Sequence, residues 1–91
     1  MYAVVTNQTI DPERSDEVDR NLRERVVPAQ RSLAGCSEVV HLRSRDGRTG
    51  IVIMILDTAE HAQEAASTIT TPEDAPVAIH NTAIYEVSAH A

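Results

Sequence analysis

One uninterrupted apolar stretch decides how this chain folds: Ile51-Val52-Ile53-Met54-Ile55-Leu56. Successive side chains of a β-strand point to opposite faces, so the three isoleucines share one face and Val52, Met54 and Leu56 share the other. A short run that is apolar on both faces is typical of a strand buried on both sides. We therefore predict a strand over residues 50–56 that requires cover from two directions.

The chain before this strand predicts another strand and an interrupted helix. Residues 2–10 alternate as a strand, and Asp11-Pro12 then marks a helix start, because Asp can cap the first amides and Pro suits the first helical position. Apolar residues recur at helical spacing up to Gly35, a suitable left-handed cap. Pro28 lies inside this pattern and predicts a kink or break near residues 25–27.

The remaining chain predicts two more strands and a second helix. Residues 37–45 form a strand that turns at Asp46-Gly47 into the apolar strand. A helix begins near Ala59 and ends before Pro72. Residues 77–88 form the last strand, and strict alternation places one set of its residues on a single face: Val77, Ile79, Asn81, Ala83, Tyr85 and Val87.

The order strand-helix-strand-strand-helix-strand predicts one α+β domain over residues 1–91 with the ferredoxin-like βαββαβ fold. Right-handed crossovers put both helices on one face of a four-stranded antiparallel sheet, which leaves the other face bare. A large exposed apolar patch is unusual in a stable monomer, so a second copy of the sheet is the economical cover. We predict a homodimer in which one of the two sets of the apolar strand is covered by the second copy, with each buried Ile or Leu contributing roughly 1.5–3 kcal/mol.

The composition limits the partners. A net charge of −6 repels phosphate backbones, so nucleic acid is not predicted as a partner. No apolar run approaches the ~18 residues of a membrane span, and no basic region precedes the first apolar stretch, so neither a membrane partner nor a signal peptide is predicted. The single cysteine, Cys36, excludes an intramolecular disulfide and fits a soluble protein of the reducing cytoplasm.

Neither a cofactor nor a metal is predicted. His41, His61, His80 and Cys36 include no close ligand pair such as His-x-His or Cys-x-x-Cys. Three dispersed glycines do not form a phosphate-binding loop, which argues against a nucleotide cofactor. Only two residues are aromatic, so a small apolar or aromatic ligand would meet aliphatic walls inside this protein.

The end of the first helix carries a resemblance to a known family. The stretch Arg25-Val26-Val27-Pro28-Ala29-Gln30-Arg31-Ser32-Leu33-Ala34-Gly35-Cys36 has a Pro within the helix, a Gly that closes it and a strand that follows. It resembles the antibiotic-biosynthesis-monooxygenase type of dimeric α+β barrel, and the resemblance covers nearly the whole chain in element order. Such proteins include cofactor-less monooxygenases of phenolic or quinol compounds, haem degraders and members without known activity. The resemblance implies a pocket between the sheet and the helices of each subunit.

The resemblance also implies candidate catalytic residues. Asn7 stands on the first strand, where enzymes of the family often carry an Asn, and His61, His80 and Tyr85 are the other candidates. The chain has no Trp, which counts against quinol-oxidising and haem-degrading activity. In the hypothetical reaction a His with a pKa of about 6.5 takes the proton of a substrate phenol. The carbanion then reduces oxygen directly, while Asn7 holds the developing oxyanion.

Each candidate also has a structural interpretation. Asn7 can pair with backbone at a strand end, His61 can be a solvated residue near a helix start, and His80 can be a satisfied sheet histidine. Tyr85 can belong to the core or the dimer interface.

His41 and Arg43 share a face of the second strand and are equally ambiguous. They could bind an anionic ligand, or they could simply face solvent from an edge strand.

Two functions therefore stay open. The first is a cofactor-independent monooxygenase-like enzyme for a small phenolic or quinol-type molecule, and it requires the four candidates to converge in one mostly apolar pocket. The second is a non-catalytic homodimer that binds a small molecule or another protein, and it predicts scattered polar candidates or a filled pocket.

Overall fold

The computed structural model describes residues 1–90, and the elements follow the predicted order. The four strands are β1 (Tyr2–Ile10), β2 (Cys36–Arg43), β3 (Thr49–Leu56) and β4 (Val77–Glu86). Between β1 and β2 lie a 3-10 turn (Pro12–Arg14), α1 (Ser15–Asn21), a π-helical segment (Leu22–Val26) and α2 (Val27–Arg31). The second helix is α3 (Ala59–Ser67). We call residues 15–31 the long helix.

The sheet has the strand order β2-β3-β1-β4, and every neighbouring pair is antiparallel. β1 and β3 are central, and β2 and β4 are edges. The long helix and α3 both lie over the face that carries Val4, Val52 and Met54. The predicted ferredoxin-like α+β fold is confirmed.

The two faces of β3 differ as the alternation predicted. Met54 is 1% exposed and Leu56 is 0% exposed on the helix-covered face, whereas Ile51 on the opposite face is 37% exposed. We call this opposite face the outer face. The strand register assigns its apolar residues: Ala3, Val5, Val40, Leu42, Ile51, Ile53, Ile55, Ala83 and Tyr85.

The prediction that alternate residues of β4 all share one face is wrong. Asn7 pairs with Asn81, but the next residue, Gln8, pairs with Ile79, so β4 carries an extra residue at this point. Such a bulge moves side chains to the other face of a sheet. Ile79 therefore lies on the helix-covered face, while Asn81 and Tyr85 lie on the outer face.

The helical region between β1 and β2 begins, and becomes irregular, where its sequence predicts. Asp11 Oδ1 accepts a hydrogen bond of 3.0 Å from the Glu13 amide, which satisfies one of the free donors at the start of the helical region. The π-helical segment directly precedes α2, in which Pro28 cannot donate and its ring crowds the carbonyl of Glu24. The wider π turn accommodates this crowding, so the chain stays helical through Arg31.

The core lies under α3. Ala62 and Ala65 are buried against Val4, Met54 and Leu56, because small side chains let the helix approach the sheet closely. In the part of the chain that the structure describes, no helix combines the length and apolarity that crossing a membrane demands.

Candidate functional site

A cavity of about 940 Å³ lies between the long helix and the sheet. Its floor includes Thr6, Gln8, Val52 and Met54, and its roof is the inner side of the long helix. Residues 68–77 close one side.

The cavity exists because the two helical layers approach the sheet differently. The backbone of α3 approaches β1, β3 and β4, whereas the long helix approaches the sheet mainly at α2, against the edge strand β2. Farther toward its start the long helix presents Leu22, Asn21 and Arg25 to the space beneath it. These side chains line the gap without filling it.

The walls of the cavity are mostly aliphatic. Val18, Leu22, Val26, Leu33 and Ile69 provide much of the apolar surface, and neither tyrosine lines it. A bound molecule would be held mainly by desolvation and dispersion, because most of the surface that it meets is aliphatic.

His41 is a cavity residue with a defined partner. It lies on β2 opposite Val52, so its side chain points to the helix-covered face. Its Nε2 atom is 2.9 Å from Oε1 of Gln30 on α2. An amide oxygen only accepts hydrogen bonds, so Nε2 carries the proton. Burial lowers the pKa of His41 below its ordinary value, which favours a neutral ring at neutral pH.

Thr6 supplies a second polar group at the floor. It is 1% exposed, and its Oγ1 lies 3.3 Å from Oγ1 of Thr82 on the edge strand β4. The two hydroxyls therefore satisfy each other within the sheet.

Two ion pairs lie at the rim of the cavity and help to connect the elements that surround it. The Arg14 side chain donates to Glu17 Oε2 at 2.6 Å and to the backbone carbonyl of Asp74 at 2.8 Å, which ties the helix start to the loop before β4. Arg43 donates to Asp19 at 2.8 Å and ties β2 to α1. Both pairs are partly exposed, so each contributes about 1 kcal/mol or less.

None of the four residues predicted from the sequence lines this cavity. Asn7 lies on the outer face and donates to Asn81 Oδ1 at 2.9 Å. Tyr85 is on the same face and is 57% exposed, and exposed His80 lies 3.0 Å from Thr9 Oγ1.

The fourth residue, His61, forms an ion pair at the start of α3. Its Nδ1 lies 2.6 Å from Asp57 Oδ1. This hydrogen bond raises the pKa of His61 and lowers the pKa of Asp57 from their ordinary values. Gly35 has a left-handed φ of 75°, but α2 ends at Arg31 with Ser32 as its cap, so the prediction that Gly35 caps the helix is wrong. A side chain at Gly35 would collide with Asp57 and His61. The group is thus a surface junction of α3, β2 and the long helix.

Only part of the cavity lining is recognisable from the sequence. His41 and Arg43 were singled out by their shared face, but nothing in β2 alone says which face the helices cover. Gln30 and Thr6 carried no signal, because each gains its meaning from a partner distant in the chain. Within residues 1–90, no cluster of three or more His, Cys, Asp or Glu has a metal-binding arrangement.

Comparison with known proteins supports the fold. The structure is similar to that of Rv0793 from Mycobacterium tuberculosis, with a TM-score of 0.57 and 14% sequence identity over 100% of this chain and 99% of that one. No protein-family model matches the sequence, and no curated protein matches it.

Proposed function

We propose that this protein is a homodimer that binds a small, mostly apolar molecule in the cavity beneath the long helix. The cavity carries the proposal. Its volume of about 940 Å³ lies within the roughly 300–1,000 Å³ of ligand sites in proteins. Its lining combines aliphatic walls with a few polar groups, which is the composition typical of such sites. A cytoplasmic location belongs to the same proposal, because the chain has a single cysteine.

The homodimer part rests on the outer face. Val40, Leu42 and Ile51 are 37%, 46% and 37% exposed there, and they adjoin Ile53 on the same surface. A contiguous apolar surface of this kind is typical of an interaction site. A second copy, with the same face presented about a two-fold axis, is the simplest cover.

The binding proposal is tested with the neutral fluorescent probe N-phenyl-1-naphthylamine. We expect saturable binding, with one probe per chain. Val26→Trp puts a large ring into the cavity and should weaken binding by at least about tenfold. Arg23→Trp, on the exposed side of the same π-helical segment, is the matched control and should bind like the natural protein. Equal binding by both variants, with unchanged circular dichroism, would refute the site.

A cofactor-independent monooxygenase of the antibiotic-biosynthesis type is the second candidate. What supports it is the neutral imidazole of His41 in an apolar cavity, which is a suitable proton acceptor for a phenol. Asn7, His61, His80 and Tyr85 lie outside this cavity, so the proposed base is His41.

Oxygen consumption with a panel of hydroquinones and anthrones tests this second candidate. Turnover that is lost in His41→Leu but kept in Asn7→Ala would support it. Oxygen uptake no faster than in buffer without protein would refute the monooxygenase candidate. Small-molecule binding would then remain as the proposed function.

A further inference from the structure

His41 is one of the polar residues that line the cavity, and among the described residues only one of its two ring nitrogens is in a hydrogen bond. Within residues 1–90, the ring of His41 makes a single hydrogen bond, from Nε2 to Gln30 Oε1 at 2.9 Å. With the proton on Nε2, the Nδ1 atom of the neutral ring keeps its lone pair and can only accept. A ligand that meets this atom must therefore bring a donor.

The charges around the cavity do not favour an ionic ligand. Arg14 is held by Glu17, and Arg43 is held by Asp19. The third lining arginine, Arg25, is exposed to solvent, so it offers no desolvated cation. A charged ligand would lose its hydration without gaining a buried counter-charge.

The chemistry of the cavity walls further restricts the class of ligand. Most of the apolar surface of the cavity comes from branched aliphatic side chains, and neither tyrosine lines it. Compact saturated bodies fill such surfaces as well as flat rings do, because contact area rather than stacking provides the attraction.

We propose, on the basis of the proposed binding function, that the ligand is an uncharged, mostly apolar molecule that carries a hydroxyl group, and that this hydroxyl donates to Nδ1 of His41. Gln30 is a positioning residue in this assignment, because its amide oxygen fixes the proton on Nε2 and orients the ring.

Two compounds of nearly equal shape test the assignment: 1-adamantanol, which donates, and 1-fluoroadamantane, which does not. Each displaces N-phenyl-1-naphthylamine from the natural protein and from His41→Leu, and the ratio of the two affinities is compared between the proteins. One hydrogen bond predicts that the preference for the alcohol falls by roughly fivefold in His41→Leu. His41→Gln retains an acceptor and should keep part of the preference.

If His41 has a purely structural role, His41→Leu should weaken the binding of both compounds alike and leave the ratio of their affinities unchanged. That result would overturn the hydrogen bond proposed for His41, while the binding function would stand. If His41→Leu fails to fold, Gln30→Leu replaces it and should reduce the ratio in the same direction. If the probe binds the natural protein but neither compound displaces it, the ligand class is wrong. If the probe itself does not bind, the proposed function and this assignment both fail.

Discussion

The helix-covered face of the sheet has two halves that differ in how closely their helices sit. Under α3, Ala62 and Ala65 are buried and pack directly against the sheet. Under the long helix, Leu22 and Val26 line an open cavity instead of closing it. The same sheet thus carries a packed half and an open half, because α3 approaches the central strands whereas the long helix approaches mainly the edge strand β2.

The packed half and the open half are expected to differ in what they contribute to the protein. A packed half provides most of the stability, because each fully buried side chain contributes through lost water contact and close packing. An open half lacks that stabilisation, and in the proposed function it keeps space for a ligand. We therefore expect substitutions in the packed half to change stability, and substitutions in the open half to change binding.

The largest effect is expected on the outer face, which lies behind both halves. Ile53→Arg places a charge at the centre of the proposed dimer interface, where it has no partner. Association should weaken by at least about 100-fold, since breaking a buried surface in this way costs about 3–5 kcal/mol. Sedimentation velocity at micromolar concentration should show a dimer for the natural protein and for the control Gln63→Arg, and a monomer for Ile53→Arg. A natural protein that sediments as a folded monomer would refute the dimer.

The second-largest effect is expected when the same substitution, leucine to alanine, is made in each of the two halves. Leu56→Ala in the packed half should lower the free energy of unfolding by about 2–5 kcal/mol, because Leu56 is 0% exposed and leaves a cavity. Leu22→Ala, at a half-buried position of the open half, should cost about 1 kcal/mol or less. Chemical denaturation measures both, and equal costs would show that the two halves do not differ in packing.

A smaller effect comes from added volume. Ala62→Leu forces atoms into the closest helix-sheet contact and should destabilise the protein by about 1–3 kcal/mol. Ala29→Leu on the long helix extends into the cavity and should change stability by about 0.5 kcal/mol or less. If Ala29→Leu destabilises as strongly as Ala62→Leu, the space beneath the long helix is not available in solution.

The smallest effect is a pH dependence of opposite sign in the two halves. Asp57 raises the pKa of His61. The contribution of this pair to folding stability is therefore complete below about pH 6.5 and is lost as the pH rises through the raised pKa. Burial lowers the pKa of His41. The contribution of the neutral ring to folding stability is therefore present above about pH 6.5 and is lost as the pH falls through the lowered pKa.

Replacement of each histidine by Gln makes this difference measurable. The cost of His61→Gln should be larger at about pH 5 than at about pH 8.5, and the cost of His41→Gln should be larger at about pH 8.5. Unfolding in denaturant at the two pH values gives both differences. A cost of His41→Gln that is larger at the acidic pH would mean that the ring is charged in the fold.

The fold was predictable because it depends on patterns within single elements. The two-sided apolar run of β3 indicated a central strand, Pro28 indicated an irregular helix, and Gly35 indicated a left-handed residue before β2, although the helix itself ends earlier, at Arg31. Each of these features is local, so the residues that cause it are neighbours in the chain.

The site was not predictable in the same way, because it depends on relations between elements. The extra residue in β4 is defined only by the register with β1, and it reversed the predicted face of Tyr85 relative to Ile79. The side of β2 that carries His41 acquires its role only when α2 covers it. An unfilled space leaves no residue pattern, since the same aliphatic side chains line a cavity or fill a core.

One measurement tests the open half most directly: nuclear Overhauser effects between 1-adamantanol and the methyl groups of the isotope-labelled protein. We predict contacts to Leu22, Val26 and Met54, and none to Leu56 in the packed half. Contacts confined to Ile51 and Ile53 on the outer face would contradict the account.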